Sequence, residues 1–368
     1  MIPVNEPLLN GNEKKYLNQC IDTGWISSEG PFVKLFEKQM AEFVGRKFAT
    51  ACTSGTAAID LAVSALELSK GDEVILPSFT IISCAQALTK LGVKPVLVDS
   101  EYDTFNIKIK DIESKITSKT KAIMIVHVYG LTVDVDPILD LAKKYNLKII
   151  EDAAHAIGLT YKGIQCGSFG DISIFSFYPN KHITTGEGGM VLCDDHILDE
   201  RSKSLRNLFF SEKRFIHNEI GFNYRMTNIQ AALGVAQLEN INDIIKKKRW
   251  IGESYNNLLQ DLEMLNLPIR STAYCENIYW VYAITLNNKF SKSAEQIMSE
   301  LGKNKIGSRP FYYPMHKQPA FNKAGLFLED ELPNSEKLYN NGFYIPSGIA
   351  LSHDQVNKVS EVLHKVLS

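Results

Sequence analysis

The residues best placed to do chemistry lie between positions 170 and 190. Ile172-Ser173-Ile174-Phe175-Ser176 alternates apolar and small polar residues, which predicts a strand. Tyr178-Pro179-Asn180 breaks it, because proline has no amide hydrogen to give a ladder. Lys181 comes next, and soon after it the flexible run Gly186-Glu187-Gly188-Gly189. A lysine on a short turn can meet a planar ligand, and lysine amines form Schiff bases with carbonyl cofactors. Most lysines are only solvated surface charges, so Lys181 needs company. Glu151-Asp152-Ala153-Ala154-His155, Ser54-Gly55-Thr56-Ala57 and Gly221-Phe222-Asn223-Tyr224-Arg225 supply it.

Together these types suit pyridoxal phosphate, which needs a lysine for its aldehyde, an acid for its ring nitrogen, and amides and hydroxyls for its phosphate. Asp152, behind four apolar residues, could keep a pyridine nitrogen protonated through its charge; a helix cap is the alternative. Gly55 and Thr56 would open a helix whose free amides and dipole favour an anion, although Ser54 there is also an ordinary N-cap. Ser176 could add a hydroxyl or be a small strand residue. Phe79 could stack on a pyridine face or pack in the core. His155 could bond the phenolic oxygen of the cofactor or serve structure. Arg309, Tyr312, Tyr313 and His316 crowd a proline-punctuated stretch, and their polar-tipped rings and guanidinium suit a sugar nucleotide with its diphosphate. Packing of a proline-rich turn is the other reading.

The elements that must position these residues follow from pattern. Residues 13–23 and 31–44 predict helices stopped by Gly24 and Gly45. Strands are expected at 48–52, 73–76, 95–98, 122–128 and 147–150, separated by helices at 57–68, 81–91, 109–116 and 136–145. Ala122-Ile123-Met124-Ile125-Val126 is apolar on both faces, as a central parallel strand should be. This alternation predicts an α/β fold whose mostly parallel sheet binds ligands beyond its carboxyl ends. Strands at 172–176 and 188–193 would complete the sheet. A long helix over 228–257 would lead into a smaller α+β C-terminal domain, giving domains of 1–240 and 241–368. Its parts would be a strand at 278–285, a helix at 293–301, a segment at 306–313 and a helix at 354–367.

Composition excludes several classes. Over 368 residues, Lys+Arg 40 against Asp+Glu 42 leaves −2, so no charge excess points to nucleic acid or an anionic membrane. No apolar run approaches the ~20 residues that span a bilayer. The first residues lack the basic and apolar regions of a signal peptide. Six cysteines without paired spacing suggest reduced thiols in the cytoplasm and argue against a metal or disulfide framework.

Several of these stretches, in this order, resemble the DegT/DnrJ/EryC1/StrS family. They are Ser54-Gly55-Thr56-Ala57-Ala58, Gly71-Asp72-Glu73-Val74-Ile75, Glu151-Asp152-Ala153-Ala154, Gly167-Ser168-Phe169-Gly170-Asp171, Phe175-Ser176-Phe177 through Lys181, Gly186-Glu187-Gly188-Gly189-Met190 and Asn223-Tyr224-Arg225-Met226. The resemblance implies a pyridoxal-phosphate-dependent sugar aminotransferase with the aspartate aminotransferase fold (fold type I) and a seven-stranded sheet. It implies Lys181 as Schiff-base lysine and proton shuttle, and Asp152 as pyridinium partner. Gly55, Thr56 and Ser176 would be phosphate ligands, joined by Asn223 from the neighbouring subunit of a homodimer. Phe79 would be the stacking ring, with Tyr313 and His316 on a loop reaching the sugar nucleotide. Gly24-Trp25-Ile26-Ser27-Ser28 and Asn180-Lys181-His182-Ile183-Thr184-Thr185 resemble the branch that moves an amino group from L-glutamate to C4 of GDP-4-keto-6-deoxymannose. His155 departs from that pattern, standing where an acidic residue or a glutamine is usual. Rival expectations are a UDP- or dTDP-linked keto sugar, a dehydratase relative in which histidine replaces the lysine, and a silent regulatory relative.

Overall fold

The structure, a computed structural model, describes residues 1–213, 215–287 and 292–367. Helices α1 (Glu13–Thr23) and α2 (Pro31–Val44) come first, as the sequence pattern predicts. Strands and helices then alternate through β1 (Phe48–Cys52), α3 (Gly55–Ala65), β2 (Glu73–Pro77), α4 (Ser83–Lys90), β3 (Lys94–Val98), β4 (Thr120–Val126), α5 (Val135–Tyr145) and β5 (Lys148–Asp152). A hairpin of β6 (Thr160–Tyr161) and β7 (Ile164–Gln165) precedes β8 (Ile172–Ser176), β9 (Gly189–Cys193) and α6 (His196–Arg206).

Seven of these strands form one sheet in the order β1-β9-β8-β5-β4-β2-β3. β3, β2, β4, β5 and β8 run parallel, while β9 is antiparallel to both β8 and β1. Helices cover both faces, so the central strands are buried except at Lys121, Lys148 and Ser176. Met124, Val126, Ile150 and Ile174 pack into one apolar cluster, and Ile123, Ile125, Ile149 and Phe175 into the other. Burial on both sides is why these strands read as continuous apolar runs. It also fixes where the polar strand ends must emerge: β5 and β8 both end toward one edge, carrying Asp152 and Ser176 there.

Beyond α6 the chain runs through α7 (Asn228–Glu239) and α8 (Ile241–Leu259) to β10 (Leu265–Asn266), β11 (Tyr282–Leu286), α9 (Ala294–Lys303) and β12 (Arg309–Pro310). Then come α10 (Pro319–Lys323), α11 (Pro333–Asn341), β13 (Gly342–Ile345) and α12 (His353–Leu367). The four strands make an antiparallel sheet, β10-β11-β13-β12. Ile251, Tyr255, Tyr282, Ile297, Phe343 and Leu363 form a separate core beneath it. Its buried tyrosines satisfy their hydroxyls, Tyr255 on the Pro346 carbonyl and Tyr282 on Asn256.

Three expectations need correction. The helix over 109–116 is two 3₁₀ turns, at Ile109–Asp111 and Glu113–Lys115, since so short a segment gains little against the cost of helix nucleation. The single helix over 228–257 is two, because the Asn240 amide bonds the Gln237 carbonyl while its side chain takes that of Ala236. The segment at 306–313 forms only the two-residue β12, whose Pro310 has no amide hydrogen to extend the ladder.

Candidate active site

The carboxyl ends of β5 and β8 and the start of α3 converge on a cavity of about 410 Å³. Gly55, Thr56, Asp152, His155, Ser176, Lys181 and Tyr312, all singled out from the sequence, line it. Ser54, Ser83, Trp280 and Tyr344 line it as well.

At one end, Ser54 caps α3 by accepting a hydrogen bond from the Ala57 amide at 3.1 Å. The first-turn amides of Gly55 and Thr56 have no intrahelical carbonyl to meet and remain available to an anion. A side chain on Gly55 would strike Ser176, with its Cβ 2.7 Å from that of the serine. One on Gly189 would strike the Ser54 carbonyl at 2.2 Å. The two glycines therefore let α3 close on β8 and β9, bringing the Ser176 hydroxyl to the helix N-terminus. Thr56 Oγ1 bonds Ser83 Oγ at 2.8 Å. This is a cradle of neutral donors shaped for a phosphate.

Asp152 ends β5 and is buried. Its Oδ1 accepts from the Ala154 amide at 3.0 Å and its Oδ2 from the Cys84 thiol at 3.3 Å. Burial raises its pKa, while those two donors and the charge of Lys181 oppose the rise. A cationic ring nitrogen brought beside it would restore the stability of the carboxylate. The Cys84 thiol is pushed well above its usual range by burial and by Asp152, so it stays protonated and continues to donate.

Lys181 sits on the turn after β8, its amide bonded to the Tyr178 carbonyl at 2.9 Å. Its amine opens on the cavity with protein on the other sides. That desolvation pulls its pKa down to about 7, against an opposing pull from Asp152 and Cys84. Near neutral pH it therefore exists in both protonation states, as a proton carrier must.

His155 contributes a ring face. The Tyr129 amide donates to its Nδ1 at 3.4 Å and its Nε2 meets the Tyr312 hydroxyl at 3.2 Å. Both nitrogens are thus already engaged with the protein, and a bond to a cofactor oxygen would compete with Tyr312. Burial holds the ring neutral. It stacks on Trp280 at 3.6 Å and 6°.

Other expected residues lie elsewhere. Phe79 is fully buried and packs edge-on against Tyr129 and Tyr312, so it supports the cavity wall without being part of it. His316 is buried between Ser78 at 2.9 Å and Glu336 at 3.0 Å, strapping its loop to the end of β2. Tyr313 packs on Tyr339 at the surface and Arg309 is exposed on β12. Of the crowded stretch only Tyr312 lines the cavity that Lys181 opens on. Asn223 is exposed and bridges Asn207, outside the cavity of its own chain.

Trp280, Tyr344 and Cys84 were missed from the sequence. Each reads there as an ordinary apolar-strand or helix residue, and none lies in a short pattern with Lys181. The metal-type cluster His127, Glu151 and Cys166 sits behind the site. Its His127 and Glu151 are already engaged: Val133 donates to His127, and Glu151 accepts from His127 and from the Gly167 and Phe169 amides.

The geometry fits pyridoxal phosphate, with a phosphate cradle, a buried carboxylate and a lysine around one flat-walled cavity. Comparison with known proteins points the same way. The chain is 42% identical to the GDP-perosamine synthase of Vibrio cholerae, covering 98% of this chain and 97% of that one. It is 40% identical to the Escherichia coli O157:H7 enzyme of the same name, over 100% and 99%. Among solved structures it matches Helicobacter pylori PseC, an aminotransferase of pseudoaminic acid biosynthesis (TM-score 0.94, 27% identity, 100% and 99% covered). It also matches the PLP form of the putative sugar aminotransferase Spr1654 from Streptococcus pneumoniae (TM-score 0.91, 27% identity, all of both chains). With its profile matching residues 7–364, the chain belongs to the DegT/DnrJ/EryC1/StrS aminotransferase family, whose enzymes use pyridoxal phosphate and nucleotide-linked sugars.

Proposed function

We propose that this chain moves the amino group of L-glutamate to the C4 ketone of GDP-4-keto-6-deoxymannose, giving GDP-perosamine for a surface polysaccharide. Full-length similarity to perosamine synthases of three bacteria supports the substrate. The observation that carries the chemistry is the convergence of Lys181, Asp152 and the Gly55–Thr56–Ser176 cradle on one cavity.

Bound pyridoxal phosphate would supply an aldehyde that carries the amino group between the two substrates and a ring that withdraws the electron pair left when a Cα proton departs. The chain supplies everything else. Gly55, Thr56 and Ser176 hold the phosphate, with Asn223 reaching in from a second copy of a cytoplasmic homodimer. Asp152 keeps the ring nitrogen protonated, its own carboxylate fixed by Cys84 and Ala154. Lys181 takes the glutamate Cα proton on Nζ and runs the transfer in the opposite sense when the keto sugar is bound. A pKa of about 7 lets it serve in both directions. Trp280, His155 and Tyr312 wall the cavity and keep water from the reacting atoms. Exposed Tyr313 and Arg309 on the neighbouring loop are candidates for the sugar nucleotide and its diphosphate. His316 would act there only by holding that loop.

The test offers GDP-4-keto-6-deoxymannose and UDP- and dTDP-linked 4-keto sugars in parallel, with glutamate, and reads products by mass spectrometry. An amino-for-oxo mass change with the GDP sugar alone is expected. The same change with another nucleotide alone would retire this substrate and keep the aminotransferase.

A further inference from the structure

We propose that Trp280 is a positioning residue for Lys181, its indole fixing both ends of the lysine at once. This rests on the reading of Lys181 as the reactive amine. The ring face lies 4.1 Å from Lys181 Nζ, measured to its centroid, close enough for a cation–π contact. The indole N–H donates at 2.8 Å to the carbonyl of Asn180, the peptide that leads into Lys181. One rigid group thus holds the backbone at the root of the side chain and the amine at its tip, across 100 positions of sequence.

The ring is itself held in place. It stacks on His155, and its own carbonyl accepts from the buried Lys248 amine at 2.9 Å. That same amine also bonds the Ser347 carbonyl, so Trp280 is pinned to the framework of the four-stranded sheet. An unrestrained lysine would spread over many rotamers once detached from a carbonyl partner. The indole gives the free amine one resting place, at the cavity wall.

The charged and titratable groups around Nζ are Asp152, the Cys84 thiol, His155 and His182, and Tyr312, Tyr344, Tyr178 and Glu187 line the same cavity. Among the described residues Asp152 makes no ion pair with Lys181, its oxygens being taken by Cys84 and Ala154, so it acts by charge at a distance. Both histidines are neutral through burial. The ring face adds a local preference for the ammonium.

Competitive acetylation of the cofactor-free chain with trace acetic anhydride, followed on the Lys181 peptide across about pH 6 to about pH 10, reads this directly. Trp280→Leu keeps an apolar group but has no π face, and its labelling midpoint should fall by about one unit. Trp280→Phe keeps the face and should hold the wild-type midpoint within a few tenths of a unit. Trp280→Met replaces Trp280→Leu in the comparison if circular dichroism shows the latter unfolded. An unchanged midpoint in the aliphatic variant overturns the proposal. So does a raised one, which would mean that the ring only excludes water, or an equal fall in Trp280→Phe. Because no turnover is measured, the labelling would still decide the role of Trp280 in a chain that failed to aminate any sugar.

Discussion

Lys181, half-buried, and Lys248, buried, are two lysines of one chain whose pKa is pulled to about 7 by the same cause, desolvation. Their surroundings differ. Lys181 opens on a cavity, faces a buried carboxylate and stands beside an anion cradle. Lys248 is enclosed, and its amine bonds two backbone carbonyls, of Trp280 and Ser347. One is placed to exchange protons with a ligand, and the other ties α8 to the segments flanking β11 and β13. A displaced pKa marks unusual burial; only the neighbours and a route to the cavity make it chemistry.

Removing each amine should separate the two roles. Lys181→Ala should lower turnover by about a thousandfold or more, since no other group here can carry the proton, measured as amino-sugar formed per enzyme. Asp152→Asn keeps the shape and a hydrogen-bonding group while deleting the charge, and should cost about a hundredfold in kcat.

Lys248→Met should show instead in stability. A lysine whose folded pKa lies below its ordinary 10.5 binds fewer protons folded than unfolded between about pH 7 and 10.5. Its penalty is complete below that window and gone above it, so stability rises with pH inside it, by up to about 1.4 kcal/mol per pH unit for one proton. Urea unfolding between about pH 7.5 and 9.5 should show a slope shallower by as much as this in Lys248→Met. An identical slope would mean that Lys248 is charged in the folded chain, and the comparison would fail.

The smallest effect is at Cys84. Cys84→Ala removes one donor from Asp152, so the carboxylate pKa should rise and the acidic limb of kcat/KM move upward. A shift of about half a unit, with a loss at neutral pH of under about threefold, is expected.

The local part of this architecture was legible in the sequence. The strand that ends in Ser176 and the turn that carries Lys181 lie within ten residues of each other, and α3 follows its cap immediately, so period and punctuation reveal them. Asp152 was legible because a charge after an apolar run marks where a buried strand surfaces. Trp280 was not, since it meets Asn180 only through a contact 100 residues long. The aromatic stretch at 309–316 was only partly legible for a related reason. Its composition is that of a ligand loop, yet Phe311 and Met315 pack in the core, His316 joins Ser78 and Glu336, and Tyr312 alone turns to the cavity. Composition does not say which way a side chain points in an irregular segment.

By itself, then, the sequence determined the alternating strands and helices, the turn that carries Lys181, the strand end at Asp152 and the capped start of α3. Each is written in contiguous residues whose periodicity is imposed by hydrogen-bonded backbone geometry. Tertiary structure decided which rings form the wall, which lysine opens on the cavity, and that Phe79 and His316 lie buried outside its lining. Those outcomes depend on packing between distant segments, where the space left by one side chain sets the place of the next.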